Sequence, residues 1–267
     1  MNVKRRIIST VLFFCFLIPC VAMAEVTIPG GLTKEREARI GEEYHGVIVI
    51  QNSSEERQEV KAYQTDYLFF HDGKNIYGEP GKLDRSNANW ITFSPERFII
   101  PPKDSYTLKY TVKVPDNEAL VGTYWSVIMV EGVAPVSSDT IRNGIGVRQV
   151  MRYGIQMVTH IGNTGERKIK FLNTQLLRVQ EKRILQIDVE NIGERWLRPV
   201  LWTELFDEKG GQKGKFDGRK IRIYPGTSAR IRVDLSEVPD GKFIALVVAD
   251  NGDEYIFAAQ LTLNITS

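Results

Sequence analysis

Short segments of alternating apolar and polar residues, each closed by turn formers, recur along almost the whole chain. They leave little room for any architecture other than packed β-sheets. Residues 44–51, 60–70, 106–114 and 124–130 are rich in β-branched and aromatic side chains, which fit a pleated, half-buried surface. Asn52-Ser53-Ser54, Asp72-Gly73, Glu79-Pro80-Gly81 and Pro101-Pro102 punctuate them. No window of helical length carries a 3.6-residue period. Evenly spaced short strands with turn punctuation predict an all-β fold, a sandwich or barrel.

The same pattern restarts further on. Residues 184–190, 198–206, 220–224, 229–235, 243–249 and 254–263 read as strands, and Asn251-Gly252 between two apolar runs predicts a hairpin, because both residues tolerate positive φ. The polar stretch Gly162-Asn163-Thr164-Gly165 separates the halves. Each half then shows one order of landmarks. The first has Asn52, Asp72-Gly73, Pro101, Ser105, Val114-Pro115 and Gly122. The second has Asn191, Lys209-Gly210, Pro225, Ser228, Val238-Pro239 and Gly241. A shared order favours two domains of one fold. The expected division is residues 25–161 and residues 166–267, two immunoglobulin-like β-sandwiches in tandem.

Residues 1–24 predict a cleavable secretory signal. Lys4, Arg5 and Arg6 precede an apolar run over residues 7–21, and Ala22-Met23-Ala24 supplies the small residues of a cleavage site before Glu25. The run falls short of the ~20 apolar residues that a spanning helix needs. Cys15 and Cys20, the only cysteines, lie inside it. The processed chain therefore enters an oxidising compartment without disulfides, and packed cores must stabilise it. Removing Lys4, Arg5 and Arg6 lowers Lys+Arg from 35 to 32 against 33 Asp+Glu, a net charge near −1. Nucleic-acid binding loses its electrostatic basis.

No enzyme site is legible. His45, His71 and His160 lie in separate segments, with no cysteine or second histidine near any of them. Each is expected at the surface or a strand edge, with no metal bound. There is no nucleophile elbow and no phosphate-cradling loop, so no cofactor is expected. Trp90, Trp125, Trp196 and Trp202 could line a sugar site, but core packing is the expected role of at least three.

Residues 145–161 stand apart. Ile145, Val147, Gln149, Met151, Tyr153, Ile155, Met157, Thr159 and Ile161 form a mostly apolar register, and Gly146, Arg148, Val150, Arg152, Gly154, Gln156, Val158 and His160 a more polar one. That is a half-buried strand, about 56 Å long if fully extended. A long apolar edge needs a reason, since exposed edges aggregate. Pairing with a strand of another protein supplies one.

With these features in view, the chain resembles the periplasmic pilus-assembly chaperones of the chaperone–usher pathway (PapD-like). The carrying stretches are REARIGEEYHGVIVIQN over residues 36–52 and WITFSPERFIIPP over residues 90–102, with a partial match at Pro115, Asp116, Glu118, Leu120 and Trp125. The resemblance implies a chaperone that caps pilus subunits by strand donation and delivers them to an outer-membrane usher. It implies two basic anchors for the subunit's terminal carboxylate. On the first strand these are Arg36, with Arg39 as second choice; on the donated strand they are Arg152, with Arg148 behind it. Ile145 and Val147, with Met151, would fill the subunit's groove. The family usually has lysine where Arg152 stands; arginine binds a carboxylate through two donors, so the chemistry survives. The competing expectation is a tandem-sandwich adhesion or cell-surface module.

Overall fold

The computed structural model describes residues 26–133 and 151–266. The expected signal segment and Ile145, Val147 and Arg148 lie outside the described residues.

Four sheets carry the chain. The first orders β1 (Val26–Thr27), β3 (Glu43–Asn52), β8 (Ser105–Lys113) and β6 (Ile91–Phe93). The second orders β2 (Thr33–Ala38), β10 (Arg152–Ile161), β9 (Gly122–Val133), β4 (Gln58–Phe69) and β5 (Asn75–Gly78), with β7 (Arg97–Ile100) also on β4. The third orders β11 (Ile169–Val179), β12 (Lys182–Asn191) and β15 (Ser228–Asp234). The fourth orders β14 (Gln212–Lys220), β13 (Val200–Phe206), β16 (Gly241–Asp250) and β17 (Ile256–Ile265).

Alternation explains the layering. On β3, Ile48 and Ile50 are fully buried while Val47, just before them, is exposed and Val49, between them, is half-buried. With Leu108, Ile128 and Ile155 they form the first core. Leu185, Ile187, Leu201, Leu205 and Val247 form the second. Burying one such side chain stabilises by about 1.5–3 kcal/mol. The chain is all-β, built as two immunoglobulin-like sandwiches.

The matched landmarks have matched jobs. Asn52 is fully buried at the end of β3. Its amide donates to the carbonyls of Glu56 at 2.7 Å and Pro101 at 2.9 Å, and its Oδ1 accepts from the Ser54 N–H at 2.9 Å. Asn191, also fully buried, ends β12. It donates to the carbonyls of Arg195 at 2.7 Å and Ile223 at 3.0 Å, and accepts from the Gly193 N–H at 2.9 Å. Each asparagine clamps the turn that follows its strand by satisfying buried backbone groups.

Three local expectations need correction. Residues 220–224 are not a strand. Β14 ends at the first of them, Lys220, and Leu197 and Ile223 form only an isolated bridge. The polar sequence of β14 had hidden it. The hairpin at Asn251-Gly252 exists, but its loop runs over residues 251–255, and only Gly252 has positive φ, +79°. Finally, His160 is not at the surface: it is 3 % exposed. It sits on the face of β10 that meets the second sandwich.

That meeting surface is a built joint. Trp125 and Val158 from the first sandwich pack against Trp196 and Tyr224 from the second. The Trp125 and Tyr224 rings stack at 4.8 Å with 12° between planes. The Thr123 N–H donates to the Glu194 carbonyl at 2.9 Å, Arg222 donates to Thr33 Oγ1 at 2.7 Å, and the His71 N–H donates to Ser228 Oγ at 3.0 Å. Gly122 stands where no side chain fits: its φ is +76°, and a Cβ there would lie 2.2 Å from the Glu194 carbonyl oxygen.

Hydrogen bonding assigns the state of His160. The Trp196 N–H donates to Thr123 Oγ1 at 3.0 Å, and that oxygen lies 2.9 Å from His160 Nδ1, to which the hydroxyl donates when the imidazole is neutral. Nε2 then carries the proton and donates to Glu35 Oε1 at 3.1 Å. Burial first, then the Arg195 and Arg222 guanidiniums, push this imidazole down to about 3, outweighing the pull of the Glu35 carboxylate. Neutral His160 is thus a structural member of the joint.

Candidate functional site

The site is an interruption in pairing. The chain enters the first sandwich through β1, paired antiparallel with β3. It then crosses the gap at Pro29-Gly30-Gly31, where both glycines have positive φ, and joins the opposite sheet as β2. Glycine makes that crossing sterically free. Β2 lies parallel to β10, in register from Thr33 opposite Gln156 to Ala38 opposite Ile161. The Gln156 N–H donates to the Leu32 carbonyl at 2.8 Å. Upstream of Gln156, residues 152–155 keep β9 on one side, from Arg152 opposite Glu131 to Ile155 opposite Ile128. Among the described residues they have no strand on the other side. Among the described residues this backbone edge is open, and it lies just after Met151 in the chain.

Each predicted residue has a definite place. Met151 is 44 % exposed, just before β10. Arg152 lies on the outer face, and its Nε donates to Glu131 Oε2 at 2.7 Å. Tyr63 also donates to that carboxylate, at 3.2 Å. Tyr153, Ile155 and Met157 take the opposite, core-facing register, so the expected parity holds across the described part of the strand. Arg39 is exposed beyond the end of β2, its N–H donating to Glu42 Oε2 at 2.9 Å.

Arg36 sits in a different setting. It lies opposite Thr159 in the parallel register. Its guanidinium lies 4.7 Å from the Tyr44 ring centre and donates to Glu42 Oε1 at 3.2 Å. That pairing and a backbone hydrogen bond from Arg39 hold the Glu42 carboxyl below its ordinary range, the backbone bond contributing most. Tyr44 in turn bonds Thr159 Oγ1 at 2.8 Å, and burial raises its phenol. Arg36 therefore lines a cleft at the open side of the sandwich, with Thr33, Lys34, Tyr44, His45 and Met157. Lys34 is the residue that sequence reading missed. Lying two positions before Arg36, it shares that face, and the period of a strand was signal enough.

The structure does not bring Arg36 and Arg152 together. Arg152 is seven positions upstream of Thr159, about 23 Å along an extended strand, and it faces the other way. The cleft carries two cations, Lys34 and Arg36, the second already paired with the Glu42 carboxylate. The open edge offers unpaired backbone groups to a strand. These are separate elements of one surface, and neither contains a nucleophile–base pair.

No protein-family model and no curated sequence matches the chain. Solved structures do. One similar chain comes from a chaperone–tip adhesin complex described as vital for synergistic activation of CFA/I fimbriae biogenesis. It is 15 % identical, covers 89 % of this chain and 98 % of its own, and superposes with a TM-score of 0.50. Another is the class 5 fimbriae chaperone CfaA, 15 % identical, covering 90 % of this chain and all of its own, with a TM-score of 0.48. At such identity the likeness is one of fold. This chain has the two-domain immunoglobulin-like fold found in that fimbrial chaperone–adhesin complex.

Proposed function

We propose that this chain is a periplasmic chaperone of the chaperone–usher type. It binds incomplete pilus subunits through the edge that begins at Arg152, caps them by strand donation, and delivers them for assembly at the outer membrane. Its two domains divide between residues 161 and 166. The observation that carries this reading is the stretch of β10 at residues 152–155, which no strand covers on one side among the described residues. A strand that is central further along becomes an edge there, and an incoming strand can complete the pairing. The fold shared with a component of a fimbrial chaperone–adhesin complex supports the same role. A tandem adhesion module is not favoured, because the neighbouring fold belongs to an assembly complex.

Ile145, Val147 and Met151 are proposed to enter the subunit's groove, Arg36 or Arg39 to hold its carboxylate in the cleft, and Arg152 or Arg148 to bind the subunit along the edge. Because Arg36 and Arg152 lie far apart in register, the reading assigns them separable contributions. Co-expression with the pilin encoded nearest the gene tests this. Arg36→Ala and Arg152→Ala should each reduce co-purification of the subunit, and the double variant should abolish it, with circular dichroism unchanged. Full capture by the folded double variant refutes the anchoring scheme.

A further inference from the structure

We infer that the fourth sheet pairs with a second copy of this chain through β17. This inference is independent of the chaperone reading and concerns the other sandwich.

Edge strands template unwanted pairing, and proteins blunt them with charge, bulges or shortness. The described edges of this molecule follow that rule, with one exception. Β1 has two residues, β6 three and β5 four. Β2 carries Lys34, Glu35, Arg36 and Glu37. Β11 carries Lys170 and Arg178 and breaks register between Phe171 and Asn173. Β15 carries Arg230, Arg232 and Asp234. Β14, the other edge of the fourth sheet, carries Lys213, Lys215, Asp217, Arg219 and Lys220 and breaks register twice.

Β17 has none of these devices. Its ten residues, IFAAQLTLNI, contain no charge and no proline. Its register with β16 is continuous from Ile256 opposite Asp250 to Ile265 opposite Gly241, without a bulge. Β16 is its only strand partner among the described residues. Ile256 at its start is 63 % exposed, more than any other large apolar side chain described.

The sequence of the strand selects the occupant. An uncharged edge offers nothing for a differently charged partner to recognise, and it does not repel its own copy. Antiparallel self-pairing about Gln260 sets Phe257 opposite Leu263 and Ala259 opposite Leu261. Those four side chains face inward, where Leu263 joins the core and Phe257 and Leu261 pack on it. The outer face then sets Ile256 opposite Asn264, Ala258 opposite Thr262, and Gln260 opposite its own copy. Core-facing residues meet core-facing residues throughout, as sheet continuity requires, and the contact is isologous, so it closes as a dimer. Two glutamine amides on the axis can satisfy each other. Asp253 and Glu254 fall outside the paired stretch.

Analytical ultracentrifugation of the secreted chain tests this. A dimer at micromolar to hundreds-of-micromolar concentration is expected. Gln260→Lys and, separately, Thr262→Lys place like charges near the axis on exposed side chains and should return the mass to that of the monomer. Gln260→Cys should give a disulfide-linked dimer on mild oxidation, since antiparallel partners approach within disulfide range and both native cysteines lie in the signal segment. A wild-type chain that stays monomeric overturns the inference. So does a dimer that persists in both lysine variants, or one broken only by changes at the β10 edge.

Discussion

Replacing Tyr224 with alanine should uncouple the two sandwiches. The ring is fully buried. It stacks on Trp125 at 4.8 Å and on Trp196 at 5.8 Å, and meets Phe69 edge-on at 5.9 Å. Its hydroxyl donates to Gln156 Oε1. Trp125, Phe69 and Gln156 belong to the first sandwich, Tyr224 to the second. Aromatic pairs contribute about 0.5–1.5 kcal/mol each beyond area burial, so the two that cross the joint supply about 1–3 kcal/mol. The hydrogen bond adds about 1 kcal/mol, giving about 2–4 kcal/mol of coupling. Truncating a buried aromatic costs about 3–5 kcal/mol in all. For a chain of this length, 3 kcal/mol lowers Tm by about 6–12 °C. Calorimetry should show one transition in the wild type and two in Tyr224→Ala, and small-angle scattering should report a larger radius of gyration. Tyr224→Phe keeps the stacking and should cost only about 1 kcal/mol. A single transition in Tyr224→Ala within about 2 °C of wild type would refute this account of the joint.

Two further outcomes follow from buried polar groups. His160 is held neutral, its folded pKa depressed to about 3. The unfolded chain therefore binds the extra proton first, and the stability His160 contributes is complete above about pH 6.5 and is lost as pH falls towards 3, by up to about 1.4 kcal/mol per unit. Urea titrations at pH 7, 6, 5 and 4 should show a shallower acid loss in His160→Gln, and parallel curves would contradict the assignment. Asn52→Ala and Asn191→Ala each leave buried backbone groups unpaired and should each cost about 2–3 kcal/mol. Hydrogen exchange should localise the opening to residues 53–58 in the first variant and residues 192–197 in the second; a cost below about 0.5 kcal/mol in either would show that its clamp is dispensable.

The legible part of this protein is the part that local periodicity controls. Alternation on β3, β8 and β15 exposed the strands, because each buries one face and so must write its burial into the sequence at every second residue. The order Asn52 to Gly122, repeated from Asn191 to Gly241, announced two sandwiches, and its asparagines satisfy the same backbone need at the end of equivalent strands. The parity of β10 was equally readable, with Ile155 and Met157 in the core and Arg152 outside.

What stayed hidden depends on partners distant in sequence. Β14 is polar along most of its length and is a strand only because β13 pairs with it. Asp66 sits in an ordinary strand, yet its buried carboxylate accepts the N–H groups of Lys82 and Leu83 at 2.8 Å each. His160 looked like an edge residue because nothing local marks the second sandwich that covers it. The coupling of Arg36 with Arg152 came from the family resemblance and has no local signal of its own. The parallel register of β2 on β10 set them apart. Sequence alone determined the layers, since burial of one face is a one-dimensional pattern. Tertiary structure decided the joint and the two edges, since pairing register and the departure of β2 from β10 before Arg152 are set by packing between segments that are not local in sequence.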